Sequence, residues 1–219
     1  LYTYRMLIIT LALLGALLLL DKYAIGEFGI SQPIISGTIL GAIFGDIRAG
    51  ILLGSAFQLI FLAGLPIGRD IPPDTQGAGI AGCGAYFILL GSNGPQTAFF
   101  IAVILGLLAG VYGIALEIWV REQNEKLFYR FMRNEENLIL YHLSGILSSY
   151  LRGIILLLPV FLTASLIHIR YEFTTFNREL FIVLVASIGM ANGIFLFMKK
   201  KNLFYLILGL ICSLVFFAF

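Results

Sequence analysis

The chain has 219 residues, of which 60% are hydrophobic and 12% are charged, and its formal net charge is +2. A soluble domain carries about 25% charged residues, so this chain, whose mean hydropathy is +0.99, has too few charges to cover a surface that faces water. The small net charge and the lack of a basic stripe in the sequence argue against nucleic acid as a partner. We predict an all-α, polytopic integral membrane protein with about seven to nine membrane segments of roughly 20 residues each.

Apolar runs predict where the helices lie. The first run lacks the small-residue cleavage site of a secretory signal, so we interpret it as a retained first span. The last four runs are long, and we predict that they cross the membrane as ordinary helices, with residues 143–219 forming the C-terminal helices of a single transmembrane domain, 1–219. The runs occupy residues 4–20, 33–45, 50–66, 78–90, 96–120, 143–168, 180–198 and 203–219.

Glycine and proline are concentrated in the first half of the chain. Fifteen of the 24 glycines and five of the six prolines lie between residues 26 and 95. A run such as 33–45 gives a helix of only about 20 Å, whereas the hydrocarbon core is about 30 Å thick. Short segments interrupted by Gly and Pro are typical of the re-entrant or broken helices that line a transporter's binding site. We therefore predict that residues 21–95 form the substrate-handling region.

Two clusters of basic residues predict the orientation. Four basic residues lie in the stretch 121–142, and the second cluster is Lys199–Lys201. Cytoplasmic loops are enriched in Lys and Arg, and two predicted spans separate the clusters, so both should be cytoplasmic and the loop 169–179 external. The stretch 121–142 alternates charged and apolar residues, which predicts a cytoplasmic amphipathic linker at the membrane surface; a solvated helical linker is the alternative.

Small residues recur at helical spacing early in the chain. On a helix they share one face, where they let two backbones approach closely. Taken alone, this pattern predicts close packing rather than a binding site. The ladder comprises Gly37, Gly41, Gly45, Gly50 and Gly54.

Polar residues within or beside the apolar runs are the candidate site, because a carboxylate inside a membrane is costly and rare without function. Asp21 and Asp46 each stand close to a basic residue, which also suits an interfacial position. Gln58 lies in the middle of a run, and its amide, which both donates and accepts, suits a sugar hydroxyl. The segment 64–74 has three prolines and cannot be one continuous helix, so we predict an unwound stretch whose Asp74 faces a cavity.

The segment LLDKYAIGEFGISQPIISGTILGAIFGDIRAGILLGSAFQLIFLAGLPIGRDIPPD, residues 19–74, resembles the N-terminal half of membrane subunit IIC of the mannose/fructose/sorbose phosphotransferase systems. A weaker resemblance continues to His142 and Arg152, which match a His/Arg pair at the same spacing in that family. Gln58 departs from the pattern, because the family has an acidic residue there. The matching residues of the segment are Asp21, Gln32, Pro33, Gly41, Gly45, Asp46, Gly50, Gly54, Gly64, Gly68, Pro73 and Asp74.

This resemblance implies a sugar-translocating permease of the bacterial cytoplasmic (inner) membrane, which moves a hexose-like sugar inward for phosphorylation by a partner. The implied partners are the sugar, a IID membrane subunit and cytoplasmic IIB and IIA subunits in a hetero-oligomer. We predict that Gln58 and Asp74 contact sugar hydroxyls and that Gln32 and Asp46 are secondary contacts or gates. The residues with expected structural or gating roles are Asp21, Pro33, Gly45, Gly54, Gly68, Pro73, His142 and Arg152, the last two as a pair at the cytoplasmic entrance.

Two other functions fit the sequence. An ion- or proton-coupled secondary transporter would use Asp46 and Asp74 as titrating sites. A sugar-sensing or assembly subunit that no longer transports would account for Gln58 in place of an acidic residue. An intramembrane enzyme is the least favoured reading, because His142 and His168 form no catalytic motif. We predict no catalytic residue, no metal site and no cofactor, since the cysteines lack metal-ligand spacing as well.

Overall fold

The computed structural model describes residues 2–64, 71–133, 138–169 and 178–197, together with 204, 207 and 208; the side chains of 2–5, 178 and 197 are outside the description. This part of the chain is helical and contains no strand, as predicted. A π-helical turn, Asp21–Ile25, extends the first helix. Within the described ranges the α-helices are α1 Tyr2–Leu20, α2 Pro33–Phe44, α3 Ile47–Ile60, α4 Thr75–Leu89, α5 Pro95–Arg133, α6 Leu138–Leu166 and α7 Arg178–Phe197.

Four helices in the described part of the chain are long and apolar enough to cross a membrane. They are Met6–Ile25, Pro95–Arg133, Leu138–Leu166 and Glu179–Leu196, and two shorter apolar helices, α2 and α3, accompany them. The predicted seven to nine segments are therefore not confirmed. The higher number counted the short runs of the first half as segments, and it also counted the run 203–219, most of which lies outside the described residues.

Helices α2 and α3 form a tight antiparallel hairpin. Pro33 opens α2 at the first helical position, where its fixed φ and missing N–H cost nothing. Gly45 closes α2 with φ +80°, a left-handed conformation that glycine adopts without strain. Asp46 then caps α3 by accepting a hydrogen bond from the backbone N–H of Ala49 at 3.0 Å. The hairpin turn is thus encoded in two adjacent residues.

The predicted glycine ladder packs the two helices backbone to backbone. A Cβ atom on Gly37 would lie 2.5 Å from the carbonyl oxygen of Gly50, and one on Gly41 would lie 2.7 Å from that of Asp46. A Cβ on Gly54 would press on the carbonyl of Pro33. No Cβ fits at Gly37, Gly41, Gly50 or Gly54, so these four positions serve close packing, as their spacing indicates. Gly45, the fifth, has nothing within 4 Å and closes the turn.

Helix α4 is the centre of the molecule. Every residue from Gly77 to Leu89 is buried, because α1, α2, α3, α5 and α6 all contact this helix. Its glycines accept large neighbours: the ring of Phe57 lies between Gly82 and Gly106 of α5, and the ring of Phe161 lies 2.6 Å from where a Cβ on Gly84 would be. A helix that is apolar on all sides is buried, and α4 therefore forms the core around which the other described helices pack.

Helix α7 lies at the edge and contacts mainly α3. Most of it is exposed: only 11% of the residues in Glu179–Leu196, its apolar stretch, are buried. The side-chain amide of Asn192 donates to the carbonyl oxygens of Leu59 and Ile60, both at 3.0 Å. These carbonyls belong to the last turn of α3, which lacks the donors four residues on; the Leu59 carbonyl also accepts from the N–H of Leu62 at 3.4 Å.

The predicted linker 121–142 is not a separate element. Residues Arg121 to Arg133 continue α5, which reaches 39 residues, and α6 begins at Leu138. Between Gly113 and Arg133 there is no Gly or Pro to end the helix, and Glu, Gln, Lys and Leu are good helix formers. A helix of 39 residues is about 58 Å long, roughly twice the thickness of a hydrocarbon core.

The hairpin packing predicts that Gly50→Ala destabilises the protein by about 1–3 kcal/mol, because the new Cβ would meet the Gly37 carbonyl and neither backbone can yield. Gly193→Ala is the matched control, since a Cβ there has nothing within 4 Å and Ala favours a helix over Gly. Thermal unfolding in detergent measures both. Equal midpoints for the two variants would contradict the packing.

Candidate functional site

A polar cavity of about 390 Å³ lies beside the N-terminus of α4, within the roughly 300–1,000 Å³ range of small-molecule sites. Its walls come from the π-helical turn, the loop that precedes α2, the segments around 61–64 and 71–76, and helices α3, α5 and α6. Apolar residues such as Phe61 and Leu62 share the lining. The polar side chains that line it are Lys22, Tyr23, Glu27, Gln32, Gln58, Asp74, Thr75, Gln76, Glu117, Arg121 and Arg152.

Asp74 is positioned by the chain on both sides of it. The residues Ile71 to Asp74 are not helical, because Pro72 and Pro73 lack the N–H that a helix needs. Asp74 then caps α4: its Oδ1 accepts from the N–H of Gly77 at 3.1 Å. Its own N–H donates to the carbonyl of Gly110 on α5 at 2.9 Å. The side chain is only 2% exposed, so its charge must be neutralised within the protein.

Two cations neutralise Asp74. Arg152 Nη2 on α6 lies 2.8 Å from Asp74 Oδ2, and Lys22 Nζ on the π-helical turn lies 3.3 Å from Oδ1. Arg152 is completely buried, and the same Nη2 donates to the carbonyl of Gly113 at 3.2 Å. The ion pair therefore joins α4, α5, α6 and the end of α1.

Glu117 of α5 extends this network. Its Oε2 lies 3.5 Å from Arg152 Nη2, and its Oε1 accepts from Arg121 Nε at 3.0 Å. The guanidinium carbon of Arg152 lies 4.3 Å from the centre of the Tyr23 ring, within the range of a cation–π contact. Acidic and basic groups thus alternate along one wall of the cavity.

The two glutamines also belong to the lining. Gln58 Oε1 accepts from the N–H of Ile34 at 3.2 Å, which is one of the free donors in the first turn of α2. Within the described residues, the Gln58 amide nitrogen makes no hydrogen bond. Gln32 precedes α2, and its side chain does not cap the helix. Three of the four predicted contacts, Gln32, Gln58 and Asp74, therefore line one cavity.

The fourth predicted contact lies elsewhere. Asp46 is exposed, caps α3 and is not part of the cavity lining. Asp21 is buried, as an anchor for the loop before α2. It accepts from the N–H of Phe28 at 2.7 Å and from the N–H and hydroxyl of Ser31 at 3.0 and 3.1 Å.

The remaining residues with predicted structural or gating roles lie in the hairpin, in the cavity lining or outside the described residues. Pro33, Gly45 and Gly54 build the hairpin, whereas Pro73 lines the cavity. Gly68 lies outside the described residues.

The predicted pairing of His142 with Arg152 is wrong. Arg152 pairs with Asp74 and Glu117, while His142 lines a second cavity of about 340 Å³ between the ends of α5 and α6. Ten residues along one helix span about 15 Å, so the two side chains reach different cavities. A fixed spacing in sequence does not make them neighbours.

Sequence reasoning missed four residues of this network: Lys22, Tyr23, Glu117 and Arg121. Glu117 carried a usable signal, because it lies inside the apolar run 96–120 and a charge within such a run is rarely without a partner. Tyr23 and Lys22 carried none, since an aromatic and a cation at the end of a span fit an interfacial anchor equally well.

Among the described residues, no group of three or more His, Cys, Asp or Glu side chains could hold a metal ion. The polar groups in the lining of the cavity are amides, carboxylates, cations, the Thr75 hydroxyl and the Tyr23 phenol.

Comparison with known proteins identifies the family. The family described as the sorbose-specific IIC component of phosphotransferase systems matches residues 5–218. The sorbose-specific EIIC component of Klebsiella pneumoniae is 32% identical over 95 residues, which are 43% of this chain and 34% of that protein. The fructose permease IIC component of Bacillus subtilis is 28% identical over 116 residues, 53% of this chain and 39% of that protein. The chain thus matches little more than a third of the length of these relatives.

Two solved structures share the fold. One, described as the structure of a membrane protein, has a TM-score of 0.68 at 19% identity and covers 96% of this chain and 86% of its own. The other, a cryo-EM structure of the mannose transporter ManYZ with microcin E492, has a TM-score of 0.54 at 20% identity, covering 97% and 86%. The family match spans nearly the whole sequence and four helices suit a membrane. The chain belongs to the sorbose-specific IIC family of phosphotransferase systems and is a multi-pass protein of the bacterial cytoplasmic membrane.

Proposed function

We propose that this chain is the sugar-translocating IIC subunit of a mannose-type phosphotransferase system, which moves a hexose-like sugar inward. The observation that carries the proposal is the cavity that brings Gln32, Gln58 and Asp74 together in a chain of this family. Related proteins are named for sorbose, fructose and mannose, which supports a neutral, hexose-like sugar as the substrate.

The two amides and the carboxylate of the cavity have different roles in this proposal. A sugar hydroxyl both donates and accepts hydrogen bonds, and the Gln58 amide nitrogen and the Gln32 side chain are available to it. Both Asp74 oxygens already contact Arg152, Lys22 or a backbone N–H. Asp74 therefore acts on the sugar mainly by fixing the wall of the cavity, and the glutamines make the direct contacts.

Partner subunits complete this proposal. A IID membrane subunit would join this chain in a hetero-oligomer, and cytoplasmic IIB and IIA subunits would carry the phosphoryl group, so that this chain itself transports without catalysing. The structural neighbour described as the ManYZ transporter supports a two-subunit assembly. In the membrane, the short hairpin α2–α3 would enter without crossing, because each helix has only 12 or 14 residues and about 20 are needed to span.

The structure is less favourable to a proton-coupled transporter. That function would need Asp46 and Asp74 as titrating sites in the pathway. Asp46 is an exposed helix cap outside the cavity, and Asp74 is engaged in two ion pairs. A sensor that binds sugar without moving it would use the same cavity, so a flux measurement separates it from the proposal.

Removing either glutamine should weaken sugar binding. We expect Gln58→Ala and Gln32→Ala each to raise the dissociation constant about three- to tenfold, since one hydrogen bond contributes about 0.5–1.5 kcal/mol. Equilibrium binding of labelled mannose, fructose and sorbose to the purified complex measures this. Asp46→Asn is the control, because Asn still caps α3. Unchanged affinity in both glutamine variants would rule out the cavity as the sugar site.

Transport should depend on the phosphoryl donors. In membrane vesicles we expect sugar uptake to stop when phosphoenolpyruvate or the donor proteins are withheld and to persist when a protonophore is added. The opposite pattern would favour the ion-coupled alternative. Binding without uptake under full supply of donors would favour the sensor.

Replacing Asp74 should lower the free energy of unfolding, so its variants test stability and not sugar binding. Asp74→Asn leaves Arg152 buried without its closest anion, and removing one partner of a buried pair costs about 3–5 kcal/mol. The double variant Asp74→Asn/Arg152→Gln should recover part of this. Arg121→Gln is the control, because its pair with Glu117 is 57% exposed on the Arg121 side and such pairs contribute about 0–1 kcal/mol. Thermal unfolding measures all three; an unchanged midpoint for Asp74→Asn would disprove the anchoring role.

A further inference from the structure

Two cavities lie end to end along the same three elements. The π-helical turn, α5 and α6 each line the first cavity, beside the N-terminus of α4, and also the second cavity, between the ends of α5 and α6. On α5 the lining passes from Arg121 in the first cavity to Asn124 in the second, and on α6 from Arg152 to Ser149. Three residues of a helix span about 4.5 Å, so less than one helical turn separates the two linings.

Tyr23 stands between the two cavities. Among the described residues it alone lines both of them, and it belongs to the π-helical turn, a local structure that is frequent at functional sites. The Arg152 guanidinium carbon lies 4.3 Å from the centre of the Tyr23 ring, and Lys22 Nζ lies 4.8 Å from it. The Tyr23 hydroxyl makes no hydrogen bond within the described part of the chain. Turning the ring therefore breaks no hydrogen bond, and it would join the two spaces.

The lining of the second cavity suits a neutral sugar. An aromatic ring packs against the apolar face of a sugar, while amide, imidazole and hydroxyl groups bond the sugar hydroxyls. No Asp, Glu, Lys or Arg of the described ranges lines this cavity, so it lacks the ion pairs of the first one. Besides Tyr23, its aromatic and polar lining residues are Phe128, Phe131, Tyr141, Asn124, His142 and Ser149.

The second cavity is closed towards the first cavity and open at its other end. Ser149 is the lining residue of α6 nearest the first cavity, and it is only 5% exposed. Phe128 and His142, further from the first cavity along α5 and α6, are exposed. The stretch 121–142 around this end is the basic cluster that predicts a cytoplasmic position. The open end therefore faces the side on which we expect the sugar to leave.

We propose that the second cavity is a transit site for the transported sugar and that Tyr23 is the gate between this site and the first cavity. This inference rests on the proposed function and adds the route by which the sugar leaves the first cavity. It also gives His142 and Arg152 places on one route, because His142 lines the second cavity and Arg152 lines the first.

Filling the second cavity should slow transport without weakening sugar binding. Gly145 of α6 lines this cavity, and a Cβ there would lie 3.6 Å from Asn124 Oδ1, an ordinary contact, so Gly145→Leu adds bulk without a backbone clash. The assay is uptake of labelled mannose, fructose or sorbose, whichever the unaltered complex takes up, into vesicles that contain the whole complex and phosphoenolpyruvate. We expect the rate to fall about tenfold, because a sugar must then pass an overpacked site.

The matched control is Gly193→Leu. A Cβ on Gly193 has nothing within 4 Å, and the described residues of α7 line neither cavity, so its uptake should stay unchanged. Equilibrium binding of the same sugar to the purified complex should also be unchanged in Gly145→Leu, since the first cavity keeps all its lining residues. Lower uptake at equal affinity is a result that a general loss of structure would not give.

Opening the gate should produce a leak. In vesicles loaded with labelled sugar and given no phosphoryl donor, we expect Tyr23→Ala to raise the rate of sugar efflux several-fold. Tyr112→Ala is the control, because Tyr112 is an exposed residue of α5 that lines neither cavity. The double variant Tyr23→Ala/Gly145→Leu should lose the leak, because a sugar that passes the open gate then meets the filled second cavity.

The other outcomes would overturn all or part of the inference. Normal uptake in Gly145→Leu and no leak in Tyr23→Ala would overturn it while leaving the proposed function intact. Slow uptake in Gly145→Leu without a leak in Tyr23→Ala would support the transit site and overturn the gate. Loss of a co-purifying subunit from Gly145→Leu would mean that the second cavity receives a partner's side chain, not a sugar. If the unaltered complex takes up no neutral sugar, the proposed function itself fails, and the transit site with it.

Discussion

The buried ion pair between Asp74 and Arg152 is the interaction on which the site depends. It connects the N-terminus of the central helix α4 to α6 and, through Lys22 and Gly113, to the end of α1 and to α5. A buried pair of this kind is a costly way to gain stability compared with apolar packing. Its benefit is geometric, because it fixes the side chains that line the cavity in one arrangement.

The glycines complement this pair by removing side chains where helices must touch. In the hairpin, α2 and α3 contact through their backbones, and in α4 the absence of side chains admits the rings of Phe57 and Phe161. Short helices can therefore be packed tightly enough to place Gln58 and Gln32 at the cavity. Ion pairs hold the charged side chains of the cavity, and close backbone contact holds the two helices next to the glutamines.

The sequence predicts features that depend on neighbouring residues. It does not predict which residues far apart in the chain come into contact. A proline pair, an amide inside an apolar run and a glycine ladder are local signals; they point to Asp74 and Gln58, which line one cavity, and to the close packing of α2 and α3. The partner of Asp74 is 78 residues away on α6, and only the packing of α6 against α4 brings it there. Asp46 caps α3 and lies outside the cavity, and in one sequence a helix cap looks like a site carboxylate. Helix α5 continues through the charged stretch to Arg133, because charge alone does not stop a helix.

Helix α7 contributes to the structure through a small contact with the end of α3. The last turn of α3 has carbonyl oxygens without the donor four residues on that the helix interior supplies. The single amide of Asn192 serves two of them. A mostly exposed helix at the edge of the molecule thus completes the hydrogen bonding at the end of α3, and a lone asparagine takes the place of the solvent that a helix ending in water would use.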